Sequence, residues 1–105
     1  MSQSSLVAVA LFRMKPGRTV EEYREFAHKV VRPGMARMPS VTGFMDYAVS
    51  GSMTPSDGGW QLAEVVQVTS AAEFERDNQE MPGLLIAQQW NEWVEEALVV
   101  YLAEL

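Results

Sequence analysis

Thr19-Val20-Glu21-Glu22 and Ser70-Ala71-Ala72-Glu73, one in each half of the chain, decide the fold. In each, a hydroxyl residue is followed three positions later by a glutamate. This is the pattern in which the hydroxyl accepts from a free backbone N–H at a helix start while the carboxylate reaches back. An apolar run precedes each one: Leu6–Met14 before the first and residues 60–68 before the second. Each motif therefore marks a strand handing over to a helix, and the chain reads as strand–helix–strand, twice.

Working outward, residues 6–12 are nearly continuous apolar, which is the signature of a strand covered on both faces. Residues 15–18 form a turn. The first helix runs from Thr19 to about Val31 or Met38, with Val20, Tyr23, Ala27, Val30 and Val31 as its apolar stripe. Pro33-Gly34 is expected to break or kink it. Residues 41–50 read as a second strand, with Phe44, Asp46 and Ala48 on one face and Met45, Tyr47 and Val49 on the other. Residues 51–59 form an exposed loop, long for a hairpin. The third strand, 60–68, places Trp60, Leu62, Glu64, Val66 and Val68 on one face and Gln61, Ala63, Val65 and Gln67 on the other. A short helix over 70–79 follows. Pro82 suits the first position of another helix, which extends to about Glu96. Its inner stripe is Leu85 or Ile86, Trp90, Trp93, Val94 and Ala97. Residues 98–102 close the chain as a fourth strand.

The 105 residues make one domain, 1–105, and 48% hydrophobic content supports a core without staples. The chain has no cysteine, hence no disulfide framework or thiolate nucleophile. A single histidine excludes a multi-histidine metal site within one chain. Met1 to Ser5 carry no basic flank or long apolar stretch, and no run reaches the length of a membrane span; the expectation is a cytoplasmic protein with no membrane partner. The net charge of −6 argues against nucleic acid. No phosphate-binding glycine loop or nucleophile elbow is present. The seven methionines suit either core filling or a pocket for an irregular apolar ligand.

Two strand–helix–strand units give an α+β, ferredoxin-like βαββαβ sandwich: a four-stranded antiparallel sheet in the order 4-1-3-2 with helices on one face. The other face carries residues such as Val7 and Val9, or their alternates, and is too apolar to stay wet. Two such sheets packed together solve this, so the partner is expected to be a second copy, a homodimer.

His28, at the flank of the first helix's stripe, is the one side chain whose unperturbed pKa lies near neutrality. It points either into a cleft or to water beside Lys29. Glu64, mid-strand among apolar neighbours, is a desolvated acid or base, or orients His28; alternatively it pairs with a cation or reaches water at a sheet edge. Asp46 is a similar candidate. Trp60, Trp90 and Tyr47 line a pocket or belong to the core, while Tyr23 and Trp93 read as core. Arg24, Gln67 and Asn78 are candidates for the pocket's polar contacts.

The chain resembles the dimeric α+β barrel superfamily and, within it, the RedY-like proteins of prodiginine and bisindole gene clusters. The carriers are the opening strand followed by Met14-Lys15-Pro16-Gly17, the helix Glu21-Glu22-Tyr23-Arg24-Glu25-Phe26, and Leu62-Ala63-Glu64-Val65-Val66-Gln67-Val68. Phe74, Asp77, Pro82 and Gln89-Trp90 complete them. The resemblance implies a ligand pocket between helices and sheet and a proton-transferring histidine on the first helix. It further implies a cofactor-free tailoring enzyme acting on a small, hydrophobic, indole- or pyrrole-containing aromatic substrate. The step would be non-oxidative: cyclisation, condensation, or hydration of a reactive imine. His28 would transfer the proton, Glu64 assist, and Tyr47, Trp60 and Trp90 shape the pocket. The alternatives are a cofactor-independent monooxygenase and a non-catalytic carrier for a labile intermediate.

Overall fold

A computed structural model describes residues 6–105. The reading of Met1 to Ser5 lies outside the described residues. The elements are β1 (Leu6–Met14), α1 (Val20–Phe26), a π-helical turn (Ala27–Val31), α2 (Arg32–Met35), β2 (Val41–Ala48), β3 (Leu62–Val68), α3 (Ala71–Asp77), α4 (Gly83–Asn91) and β4 (Val94–Ala103). The strands form one antiparallel sheet in the order β2-β3-β1-β4, the 4-1-3-2 order read from the opposite edge. This is the ferredoxin-like α+β architecture.

Thr19 forms the full reciprocal cap. Its hydroxyl accepts from the Glu22 N–H (3.2 Å), and the Glu22 carboxylate accepts from the Thr19 N–H (3.0 Å). Ser70 completes half of one. Its hydroxyl accepts from the Glu73 N–H (3.1 Å), but the Glu73 carboxylate takes the hydroxyls of Thr69 and Ser70 instead of reaching the backbone. The extra hydroxyl of Thr69 wins the carboxylate. Thr19→Ala is expected to cost about 1 kcal/mol of stability, read by chemical denaturation.

Pro33-Gly34 does not break the first helix. Helical backbone continues to Met35, because the π turn just before Pro33 widens the ladder: the Arg32 N–H bonds to the Ala27 carbonyl, five residues back. Proline has no N–H to place, so it follows such a wide turn at little cost. Gly34 lets this helix approach α4, since a Cβ there would run into the Ile86 side chain.

Other boundaries also move, among them the end of β2, at Ala48 instead of residue 50. β3 begins at Leu62, leaving Trp60 in the loop, and the helix expected over 70–79 spans Ala71–Asp77. The last helix stops at Asn91 instead of near Glu96. Val94 and Ala97 leave its expected stripe and enter β4, where they pair with Met14 and Phe12. β1 is nine residues long and needs a partner of similar length, and the Lys15 N–H fastens the Trp93 carbonyl at the crossover (2.9 Å).

Register fixes the two faces. Ala10, Glu64 and Asp46 lie side by side across β1, β3 and β2 on the helix side, as do Phe12, Leu62 and Ala48. The β2–β3 register slips between Val41 and Gly43: Val41 pairs with Val68, but Gly43 pairs with the adjacent Gln67. Under the helices, Phe12 and Tyr23 pack edge to face (5.3 Å), as do Phe12 and Trp90 (5.1 Å). The face without helices carries Val9, Leu11, Val65, Leu98, Val100 and Leu102, and Val100 and Leu102 are 39% and 51% exposed.

Candidate functional site

Glu64 is 5% exposed, at the centre of the helix-covered face of the sheet. The Tyr23 hydroxyl, from α1, donates to its Oε2 at 2.6 Å. Among the described residues, Oε1 carries no hydrogen bond. Burial is the main reason that the Glu64 carboxyl is pushed up to about 7. The Tyr23 hydrogen bond opposes the shift, and the charge of Asp46 across the strand pair adds to it. The Tyr23 phenol is held well above its ordinary value, first by burial and then by the charge and hydrogen bond of Glu64. The pair is therefore a neutral phenol beside a carboxyl that changes charge around neutrality.

Two hollows flank this pair. The larger, about 410 Å³, lies between the sheet and helices α3 and α4 and is mainly apolar. Glu64 reaches it from the sheet, with Val66, Met35, Phe74 and Trp90 among its walls. Asn78 stands in the lining, its Nδ2 already given to the Phe74 carbonyl (2.8 Å). At the same lining, Tyr101 donates its hydroxyl to Glu75 (2.7 Å), which raises the phenol to about 12 through burial, that bond and the carboxylate's charge. The indole Nε1 of Trp90 is buried with no hydrogen-bond partner among the described residues.

The smaller hollow, about 150 Å³, opens between α1, the π turn and β2, and Tyr23, Arg24, His28, Arg32 and Asp46 border it. Arg32 clamps Asp46 through Nε and Nη2. Arg24 is occupied by Glu21 one turn earlier (2.7 Å). His28, exposed, sits in the π turn, an irregularity often found at functional sites.

The residues singled out from the sequence thus divide. Glu64, Asn78 and Trp90 share the large cavity. Arg24 and His28 share the small cleft, together with Tyr47, although the pairing of Tyr47 with Ala63 turns its side chain to the other face of the sheet. Trp60 lies under the guanidinium of Arg13 (4.7 Å) and borders neither hollow. Gln67 shares the parity of Ala63 and Val65, so it too is on the open face, beside Gly43. The partner of Glu64 is Tyr23 and not His28. Tyr23 reads from sequence as core, and it is core at 2% exposure; its hydroxyl bond to a residue 41 positions away has no local signal. Among the described residues, no group of three or more His, Cys, Asp or Glu is placed to hold a metal ion.

The chain matches the family described as REDY-like protein HapK over residues 6–105. No curated protein matches it by sequence. Among solved structures it is similar to HapK from Hahella chejuensis, with 18% identity, 90% of each chain covered and a TM-score of 0.71. It is also similar to the hydroxynitrile lyase from Passiflora edulis, with 14% identity, 96% of this chain and 94% of that one covered, and a TM-score of 0.78. A third is a dimeric ferredoxin-like protein of unknown function from Thermobifida fusca, with 14% identity, 96% and 92% coverage and a TM-score of 0.71. At these identities the structural likeness concerns the fold.

Proposed function

The chain belongs to the REDY-like HapK family, and on that premise we propose that it is a cofactor-free tailoring enzyme of indole or pyrrole alkaloid biosynthesis catalysing a non-oxidative acid–base step. It works as a single-domain homodimer in the cytoplasm. The observation that carries the reading is Glu64: a buried carboxyl that changes charge near neutrality, facing an apolar cavity of about 410 Å³. A group poised near the working pH both takes and returns a proton, as cyclisation, condensation or hydration of an imine requires. Tyr23 holds one carboxylate oxygen, leaving the other for the substrate. Trp90 offers an aromatic wall for a flat heterocycle, and the apolar lining keeps competing water away from a reactive intermediate. His28, in the cleft on the far side of Tyr23, is the second proton-transfer group. The apolar open face of the sheet supports the homodimer, as does the dimeric state named for the Thermobifida protein. No described helix is long and apolar enough to cross a membrane.

The test is turnover of an indole-bearing imine by the wild type, Glu64→Gln and His28→Ala, in air and under nitrogen. Turnover unchanged by nitrogen is expected, with a loss of about 10²- to 10⁴-fold in Glu64→Gln. Oxygen consumption coupled to turnover would instead make the protein a monooxygenase. Stoichiometric binding with product ratios indifferent to both substitutions would make it a carrier.

A further inference from the structure

Among the described residues, the large cavity is bordered by two carboxylates, Glu64 and Glu75, and by no lysine, arginine or histidine. The basic side chains Arg24, Arg32 and His28 line the other hollow. Glu64 is 5% exposed, and its Oε1 has no hydrogen-bond partner among the described residues. A carboxylate oxygen with no partner in the protein, on a residue that lines a mainly apolar cavity, favours any ligand that brings a donor or a positive charge. The rest of the lining is uncharged: mainly aliphatic and aromatic, with the amides of Asn78, Gln79 and Asn91, and with the Trp90 indole as a face on which a cationic ring can lie.

From this arrangement we infer that the cavity selects flat aromatic ligands carrying a positively charged nitrogen, such as a protonated imine or amine, over neutral ones, and rejects carboxylates. The inference rests on the proposal that this cavity is the substrate site, and goes beyond it in fixing the charge of the bound species. The Glu64 carboxylate receives the charged nitrogen, with Tyr23 holding its other oxygen. Glu75 adds negative potential elsewhere in the lining, where its own partner is Tyr101.

The groups facing Glu64 from each packed element agree with this assignment. Tyr23, from α1, stays a neutral donor. Asp46, its neighbour on β2, has its charge taken up by Arg32. β1 offers Ala10, and α4 offers the uncharged Trp90. Among the described residues, no cation lines the cavity to satisfy Glu64 without a ligand.

The test is calorimetric titration of the intact protein with three indole probes: tryptamine as the cation, 3-methylindole as the neutral ring and indole-3-propionate as the anion. Aliphatic amines stay protonated from pH 6 to pH 8, whereas Glu64 passes from mostly protonated to mostly ionised. Tryptamine affinity is expected to tighten about tenfold over that interval, following the ionised fraction of one carboxyl. The affinity of 3-methylindole should stay flat, and indole-3-propionate should bind more weakly than either. In Glu64→Gln, tryptamine should fall to the level of 3-methylindole and lose its pH dependence. Should that variant fail to fold, the wild-type pH series decides the matter alone. Tryptamine binding no tighter than 3-methylindole at pH 8, or without pH dependence, would overturn the charge selection and leave the cavity as a substrate site. Absence of binding by all three would overturn both.

Discussion

Glu64→Gln should unfold at higher denaturant concentration than the wild type at pH 8 and at nearly the same concentration at pH 4.5. Below about 4.5 the Glu64 carboxyl is protonated in folded and unfolded chains alike, and it contributes no pH-dependent difference. Between that value and about 7 the unfolded chain releases the proton while the folded chain retains it, so wild-type stability falls as pH rises. Above about 7 the loss levels off. A carboxyl carried from 4.5 to about 7 on folding destabilises the folded state by on the order of 3 kcal/mol once both states are ionised. Glutamine keeps an oxygen for the Tyr23 hydroxyl and carries no charge to bury. Denaturation midpoints at pH 4.5, 6 and 8 test this: parallel curves for the two proteins would mean that Glu64 titrates as an ordinary surface carboxylate. The same substitution should lower turnover by about 10²- to 10⁴-fold while raising stability, which is the expected trade when a desolvated carboxyl is retained for chemistry.

Val100→Glu should leave the chain an 11.7 kDa monomer in place of the proposed homodimer, weakening self-association by about a thousandfold or more. Val100 pairs with Val9 at the middle of the face that no helix covers, with Leu98 and Leu102 along the same strand. A carboxylate there is solvated in the monomer and stripped of water in a sheet-to-sheet dimer, and Arg13, a cation on that face, is already held by Glu96. Light scattering coupled to gel filtration reads the mass directly. An unchanged mass would place the subunit interface elsewhere or remove it. Val99, which faces the helix side, is the control: a charged substitution there should leave the mass unaltered.

How legible the molecule was varies with the range of the interaction. The two capping motifs and the period-two alternation of β3 are local, and they led to the right elements, faces and strand order. The end of the last helix was not legible, because residues 90–97 carry apolar spacing that suits a helix. The length of β1, a non-local demand, pulled Val94 and Ala97 into the sheet. Pro33 reads as a breaker only if the helix before it is regular, and the π turn removes that condition. At the site, the burial of Glu64 followed from its apolar neighbours in sequence. Its bond to Tyr23 and the hold of Arg32 on Asp46 link residues 41 and 14 positions apart, and nothing in either local pattern announces them. The outward position of Gln67, by contrast, was implied by its parity with Ala63 and Val65.

The irregularity in β2 between Val41 and Gly43 sets the phase of everything after it. It spends two residues of β2 on a single step of β3, and so brings Asp46 opposite Glu64. With a regular ladder continued from Val41, Met45 would stand there instead. Asp46 would then turn to the face without helices, away from Arg32 and among apolar side chains. Removing the extra residue, Thr42, would leave a regular ladder with Asp46 still opposite Glu64, whereas a residue deleted between Gly43 and Asp46 with the irregularity kept would turn every later side chain of the strand to the other face, altering the cavity wall and the open face of the sheet in one event. The proposed catalytic face and the proposed dimer face are thus the two sides of one strand frame, and a frame change in β2 is expected to alter both together.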